Sequence, residues 1–176
     1  MMRIFIGIIS LFIFNGLCAQ EALYTWKVAD SKYISIEYPA EYKINHYGDT
    51  KIVMNGFGPL ESSADKFKEN FGVIIKDLSD KPMTLEEFAK DTREELESAK
   101  TNTPKIVKFE EIQTPAGSAY QIEYRMELSG IQFYQYLRVL VNNNLGFSVL
   151  FTVENQRKTY HEEIVARMFD SIELKN

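Results

Sequence analysis

The chain has 176 residues, with 20 basic and 25 acidic side chains, a net charge of −5 and a single cysteine. That balance, without a Lys/Arg cluster, excludes the electrostatic footprint of a nucleic-acid binder or of a protein held on an anionic membrane surface. One cysteine also excludes a disulfide framework, so the fold has to stand on its hydrophobic core.

Met1-Met2-Arg3 is a short basic start, and Ile4 to Phe14 is an almost unbroken apolar run, too short to cross a bilayer comfortably as a helix. Asn15-Gly16-Leu17-Cys18-Ala19 closes it with a polar break and a small residue. This layout predicts a secretory signal over residues 1–19, removed after Ala19 to leave Gln20 at the new N-terminus. The competing reading is a lipoprotein acylated on Cys18, but Asn15 and Leu17 stand where a lipobox wants an aliphatic and a small residue. The expectation is an exported protein, periplasmic or secreted, with one domain over residues 20–176 and a charge of about −6 once Arg3 is lost. A body of that size buries roughly 70% of the surface that its unfolded chain exposes. No later apolar run approaches spanning length, so no membrane span is expected in the mature form.

Tyr33 to Pro39 mixes β-branched and aromatic with polar residues and ends at a proline, which predicts a strand. Lys51 to Asn55 is a short second strand, and Gly56 to Asn70, without period, reads as a long loop. Phe71 to Leu78 is the next strand. Thr84-Leu85-Glu86-Glu87 is a capping box that opens a helix to about Lys100. Leu85, Phe88, Ala89, Thr92, Leu96 and Ala99 share its apolar face, while Glu86 with Lys90 and Arg93 with Glu97 pair on its wet side. Pro104 stops it.

From Ile106 the period becomes two. Tyr120, Ile122, Tyr124, Met126 and Leu128 alternate with Gln121, Glu123, Arg125 and Glu127, and Ser129-Gly130 forms a two-residue hairpin loop. Closing it sets Leu128 against Ile131, Met126 against Phe133, Tyr124 against Gln135 and Ile122 against Leu137. At Asn142-Asn143-Asn144 a three-residue loop pairs Val141 with Leu145, Val139 with Phe147 and Leu137 with Val149, so that one apolar face is kept together. Thr159-Tyr160-His161-Glu162 reads as a second capping box, with Tyr160, Ile164, Val165, Met168 and Phe169 as the stripe that follows. The fold class is therefore α+β: an antiparallel sheet with a C-terminal three-stranded meander, packed by a mid-chain helix and a C-terminal helix.

No catalytic constellation stands out. His161-Glu162-Glu163-Ile164-Val165 begins like a zinc-protease helix, but Val165 occupies the place of the second histidine. There is no G-x-S-x-G elbow, no phosphate-cradling glycine loop and no cysteine in the body. No catalytic residue, cofactor or metal site is expected. The face of the meander turned from the apolar stripe is more suggestive: Arg125 opposite Tyr134, Glu123 opposite Tyr136 and Gln121 opposite Arg138, with Tyr136 meeting Leu150 and Arg138 meeting Ser148. Arg125, Tyr134, Tyr136, Arg138 and Leu150 make the kind of patch favoured at protein interfaces, unless a helix covers it.

"Tyr-Ile-Ser-Ile-Glu-Tyr-Pro", "Val-Ile-Ile-Lys-Asp-Leu-Ser", "Thr-Leu-Glu-Glu-Phe-Ala-Lys", "Tyr-Gln-Ile-Glu-Tyr" and the terminal "Met-Phe-Asp-Ser-Ile-Glu-Leu" follow one another in an order that resembles the PsbP-like family. The resemblance covers about Tyr33 to Leu174. It implies an α/β/α sandwich, shared with a small Ran-binding protein and many exported bacterial proteins, and a role in binding other proteins rather than catalysis. Metal binding through histidines and acids, credited to some relatives, meets only His46 and His161 here. The leading expectation is an exported, non-catalytic accessory protein that binds another protein of the bacterial cell envelope. The alternative is a carrier of a small apolar ligand between sheet and helix, using Phe88, Phe133, Phe147 and Met168. A two-carboxylate hydrolase is the third reading.

Overall fold

The computed structural model describes residues 24–48, 51–60, 65–99 and 104–175, so the expected leader, with Cys18 and Ala19, lies outside the described residues. The first half of the chain forms β1 (Trp26–Asp30), β2 (Ile34–Pro39), β3 (Lys43–His46), β4 (Ile52–Phe57), β5 (Asn70–Asp77) and α1 (Leu85–Glu97). The second half forms β6 (Lys105–Thr114), β7 (Gly117–Leu128), β8 (Ile131–Asn142), β9 (Leu145–Glu154), α2 (Lys158–Asp170) and β10 (Glu173–Leu174).

Seven strands make one antiparallel sheet in the order β3-β4-β5-β9-β8-β7-β6, and β1-β2-β10 make a smaller one. The expected meander is present as β7, β8 and β9, and β6 adds a fourth strand by pairing with β7 along nearly its whole length. Since β5 sits mid-sheet and β6 at the edge, the connection between them has to cross a face, and α1 lies along that path against β7 and β8. On the opposite face α2 packs on β8, β9 and β2. The result is helix, sheet, then helix with the small sheet.

The capping box at the start of α1 is formed: the Glu87 amide donates to Thr84 Oγ1 at 3.2 Å and the Thr84 amide to Glu87 Oε2 at 2.8 Å. The two expected pairs on its wet face stand at 2.6 Å for Lys90–Glu86 and 2.8 Å for Arg93–Glu97. The second helix differs. It begins at Lys158 after a 3-10 turn over Asn155–Arg157, and no side-chain bond caps it. Tyr160 is 58% exposed, and His161 takes the inward place beside Ile164, Val165, Met168 and Phe169. Positions 160 and 161 both fit a stripe through 164 and 168, so periodicity could not choose between them.

The Ser129-Gly130 hairpin closes in the expected register, with φ of 53° and 78° at its two loop residues. The asparagine turn does not. Asn143 and Asn144 both take positive φ, 49° and 60°, in a two-residue loop that pairs Asn142 with Leu145, Val139 with Ser148 and Leu137 with Leu150. Asparagine tolerates this left-handed backbone better than other side chains do. Burial could not select the register, because this part of the sheet is covered on both sides. Phe147, Val149 and Phe151 join the core under α2, while Leu137 and Val139 join the core under α1.

Candidate functional site

The sequence-derived patch divides. Arg125, Glu123 and Gln121 do face Tyr134, Tyr136 and Arg138 across β7 and β8. Tyr136, however, pairs with Phe151 and Arg138 with Val149, and Leu150 points to the other face beside Leu137. Tyr134, Tyr136 and Arg138 are buried, whereas Arg125 is exposed. The five residues thus form no single open surface. The two-residue asparagine loop moved Leu150 across the sheet, and α2 closes over the rest.

What α2 covers is a polar seam. Tyr134 donates its hydroxyl to Glu123 in a short hydrogen bond, and Lys158 Nζ lies 4.3 Å from the Tyr134 ring centroid. Arg138 donates to Asp170 at 3.0 Å and to Gln121 at 3.3 Å, with its guanidinium 4.9 Å from the Phe169 ring. The Tyr136 hydroxyl is buried without a hydrogen-bond partner among the described residues. Burial drives the phenols of Tyr134 and Tyr136 well above their ordinary range, and the Glu123 carboxylate adds to this at Tyr134. These groups fasten helix to sheet, and their hydroxyls stay protonated at any physiological pH.

A second buried polar group holds the segment leading into β5. Glu69 is 2% exposed and receives Arg157 at 2.7 Å, and His161 Nε2 lies 3.7 Å from the same carboxylate oxygen. Burial first, and the neighbouring Arg157 second, push the His161 imidazole down to about 4. Because Arg157 already engages Glu69, that carboxylate does little to keep a proton on the ring. In the unfolded chain the imidazole gains its proton near its ordinary 6.5, so between pH 6.5 and about 4 the unfolded state binds the extra proton. The stability due to neutral His161 is complete above that window and is lost as pH falls through it, by roughly 3 kcal/mol. Chemical denaturation from pH 7 to 4 should show this decline in the native protein and a shallower one in His161→Gln. Equal slopes would refute the assignment.

The opposite face holds a cleft of about 290 Å³ between α1 and the sheet. Phe88, Thr92, Leu96 and Ala99 form its roof, and Tyr124, Leu137, Ser148 and Leu150 its floor. The gap has a local cause. A Cβ at Gly146 would come within 2.6 Å of the Phe88 ring, so the glycine lets Phe88 seat directly on the backbone of β9. Further along, Leu96 continues the roof, but Thr92 on α1 and Ala99 just beyond its end are small side chains. Burial of Tyr124 at the floor pushes its phenol up to about 12. At the mouth Lys76 reaches Asp91 at 2.8 Å and Glu95 at 3.5 Å. Larger depressions of about 480 and 490 Å³ lie at the β7–β8 hairpin end, lined by Lys66, Gln132, Glu154 and Gln156, and beside β10. Their walls are mainly polar.

The ligand-carrier set also separates. Phe88 lines the cleft, Phe133 shares its face but stacks on Phe67 at 4.6 Å, and Phe147 and Met168 fill the core beneath α2. His46 is exposed on β3 and His161 buried in α2, and among the described residues no three potential metal ligands stand together. Glu69 gives no signal of burial in the sequence, because it is one of three acids in a stretch that reads as loop. Thr92 carries one, as a small polar residue between Phe88 and Leu96 on the apolar face of α1.

An antiparallel seven-stranded sheet with α1 on one side, and α2 with a small sheet on the other, defines an α/β/α sandwich protein. Solved structures identify the type. Cyanobacterial PsbP (CyanoP) from Synechocystis sp. PCC 6803 superposes with a TM-score of 0.65 at 14% identity, over 92% of this chain and 99% of that one. The Saccharomyces cerevisiae Ran-binding protein Mog1p gives 0.59 at 10% identity, over 86% and 96%. LpqN of Mycobacterium tuberculosis, described as involved in cell envelope biogenesis, gives 0.57 at 9% identity, over 88% and 92%. The chain has the PsbP-like fold. No protein-family model matches it, and no curated protein is similar to it in sequence.

Proposed function

We propose that this chain is exported by a removable leader over residues 1–19 and that its body, residues 20–176, is a non-catalytic accessory protein that binds another protein of the cell envelope. The observation that carries the reading is an apolar patch beyond the edge of α1. On that face β4 and β5 set Ile52 opposite Ile74, 45% and 40% exposed. Phe57 follows on the same side of β4, and Tyr47 accepts a hydrogen bond from Asn55 Nδ2 at 3.1 Å. Gly72, between them on β5, has no atom within 4 Å of where a Cβ would lie, so the surface there is flat and open. Aromatic and branched side chains grouped on an uncovered sheet face are what protein interfaces bury. That proteins of this fold include one named for Ran binding and one tied to cell envelope biogenesis agrees with a binding role.

A photo-crosslinking amino acid placed at Ile74 or at Ile52 should capture one and the same envelope protein. The same probe at Val28, exposed on β1 of the small sheet, should capture none. Capture from all three positions, or from none, would defeat the reading. N-terminal sequencing of the protein from the envelope fraction should begin at Gln20, and recovery of the intact chain from cytosol would overturn export.

A further inference from the structure

We infer that the cleft under α1 is a binding site for a single-chain, lipid-like amphiphile with a zwitterionic head. The inference goes beyond the protein-binding reading and does not depend on it.

Three features point there. First, the void has a sequence cause rather than a packing accident: Gly146 lets Phe88 sit low, and Thr92 and Ala99 leave the space beyond it unfilled. A gap between a helix and a sheet forfeits contacts along both walls, so an apolar occupant restores what the protein itself leaves out. Second, the lining matches an alkyl chain. Ile74, Phe88, Leu96, Leu137 and Leu150 line most of an open cleft of about 290 Å³, with Thr92 and Ser148 as its small polar members; it is at the small end of ligand pockets and too small for a folded or two-chain lipid. Third, the charges sit at the mouth. Lys76 stands there between Asp91 and Glu95, and Glu95 is largely exposed. A head carrying both signs can set its anionic part toward Lys76 and its cationic part toward Glu95. A free carboxylate would find Lys76 already shared between Asp91 and Glu95, with no cationic group of its own to offer these acids.

The test is calorimetric titration of the full mature protein with octyl-, decyl- and dodecylphosphocholine, each below its micellar concentration. Affinity should rise about fourfold per methylene, as expected for alkyl burial, until the chain outgrows the cleft. Decanoate should bind at least tenfold more weakly than decylphosphocholine. Thr92→Phe fills the cleft from the roof and should abolish binding without lowering the melting temperature. Ser148→Leu does so from the floor, and serves if the first variant folds poorly. Absent binding, affinity independent of chain length, equal binding of decanoate, or binding retained in the filled variants would each overturn the inference. Ile74 also borders the cleft, whereas Ile52 does not, so the crosslink from position 52 reports on the protein partner separately and either idea can fall alone.

Discussion

Arg157→Ala should lower the stability of this protein by about 3–5 kcal/mol, the largest effect expected of any single polar change. The reason is the position of Glu69. Its carboxylate is 2% exposed and lies 2.7 Å from Arg157, whose guanidinium also stands 3.9 Å from Asp65. Removing the arginine takes the close cation from a buried carboxylate, and burial, the larger of the two causes that hold His161 neutral, still disfavours a proton on that imidazole. Urea unfolding followed by circular dichroism would measure the loss. The double variant Glu69→Leu, Arg157→Met replaces both charges with apolar groups of similar volume and should recover most of it, because a buried ion pair is costly chiefly when broken. A single variant within 1 kcal/mol of the native protein would show that Glu69 is solvated in solution.

Phe151→Ala should cost about 3–5 kcal/mol as well, by the different route of an unfilled core cavity. Phe151 is fully buried, its ring 6.5 Å from Tyr42 and 6.1 Å from His161, where β9, α2 and the connection after β2 meet. Leu150, the preceding residue, faces the other way into the α1 cleft and is only half-buried. Leu150→Ala should therefore cost less than about 2 kcal/mol, because part of that side chain is already in water. The comparison reads the register directly. A larger loss at Leu150 than at Phe151 would mean that β9 pairs with β8 one residue out of step.

Local chemistry explains which elements were legible. The capping box at Thr84 and Glu87, the charge pairs four residues apart on α1 and the Ser129-Gly130 hairpin each depend on groups within a few residues, and all are found as read. The asparagine turn differs because burial of one face cannot set the register against β8, which is buried on both faces from Phe133 to Leu140. The second capping box does not form because α2 begins at Lys158, which places Thr159 inside the helix and not at its N-cap. His161 goes inward beside Glu69, 92 residues earlier in the chain, whose carboxylate lies 3.7 Å from its Nε2.

The same division holds for the site. The α+β class, the helix between two runs of strands and the pairing of β7 with β8 can be read from the residues alone, since they follow from periodicity and short-range hydrogen bonding. Tertiary structure alone decided which side of the sheet each helix covers. That choice turned the Tyr134, Tyr136 and Arg138 face into an interior seam, left Ile52 and Ile74 outside, and opened a gap beneath Thr92 and Ala99. Alternation along a strand says that two faces differ, but what lies over each is set by where the connection between β5 and β6 crosses, and that depends on contacts far apart in the chain.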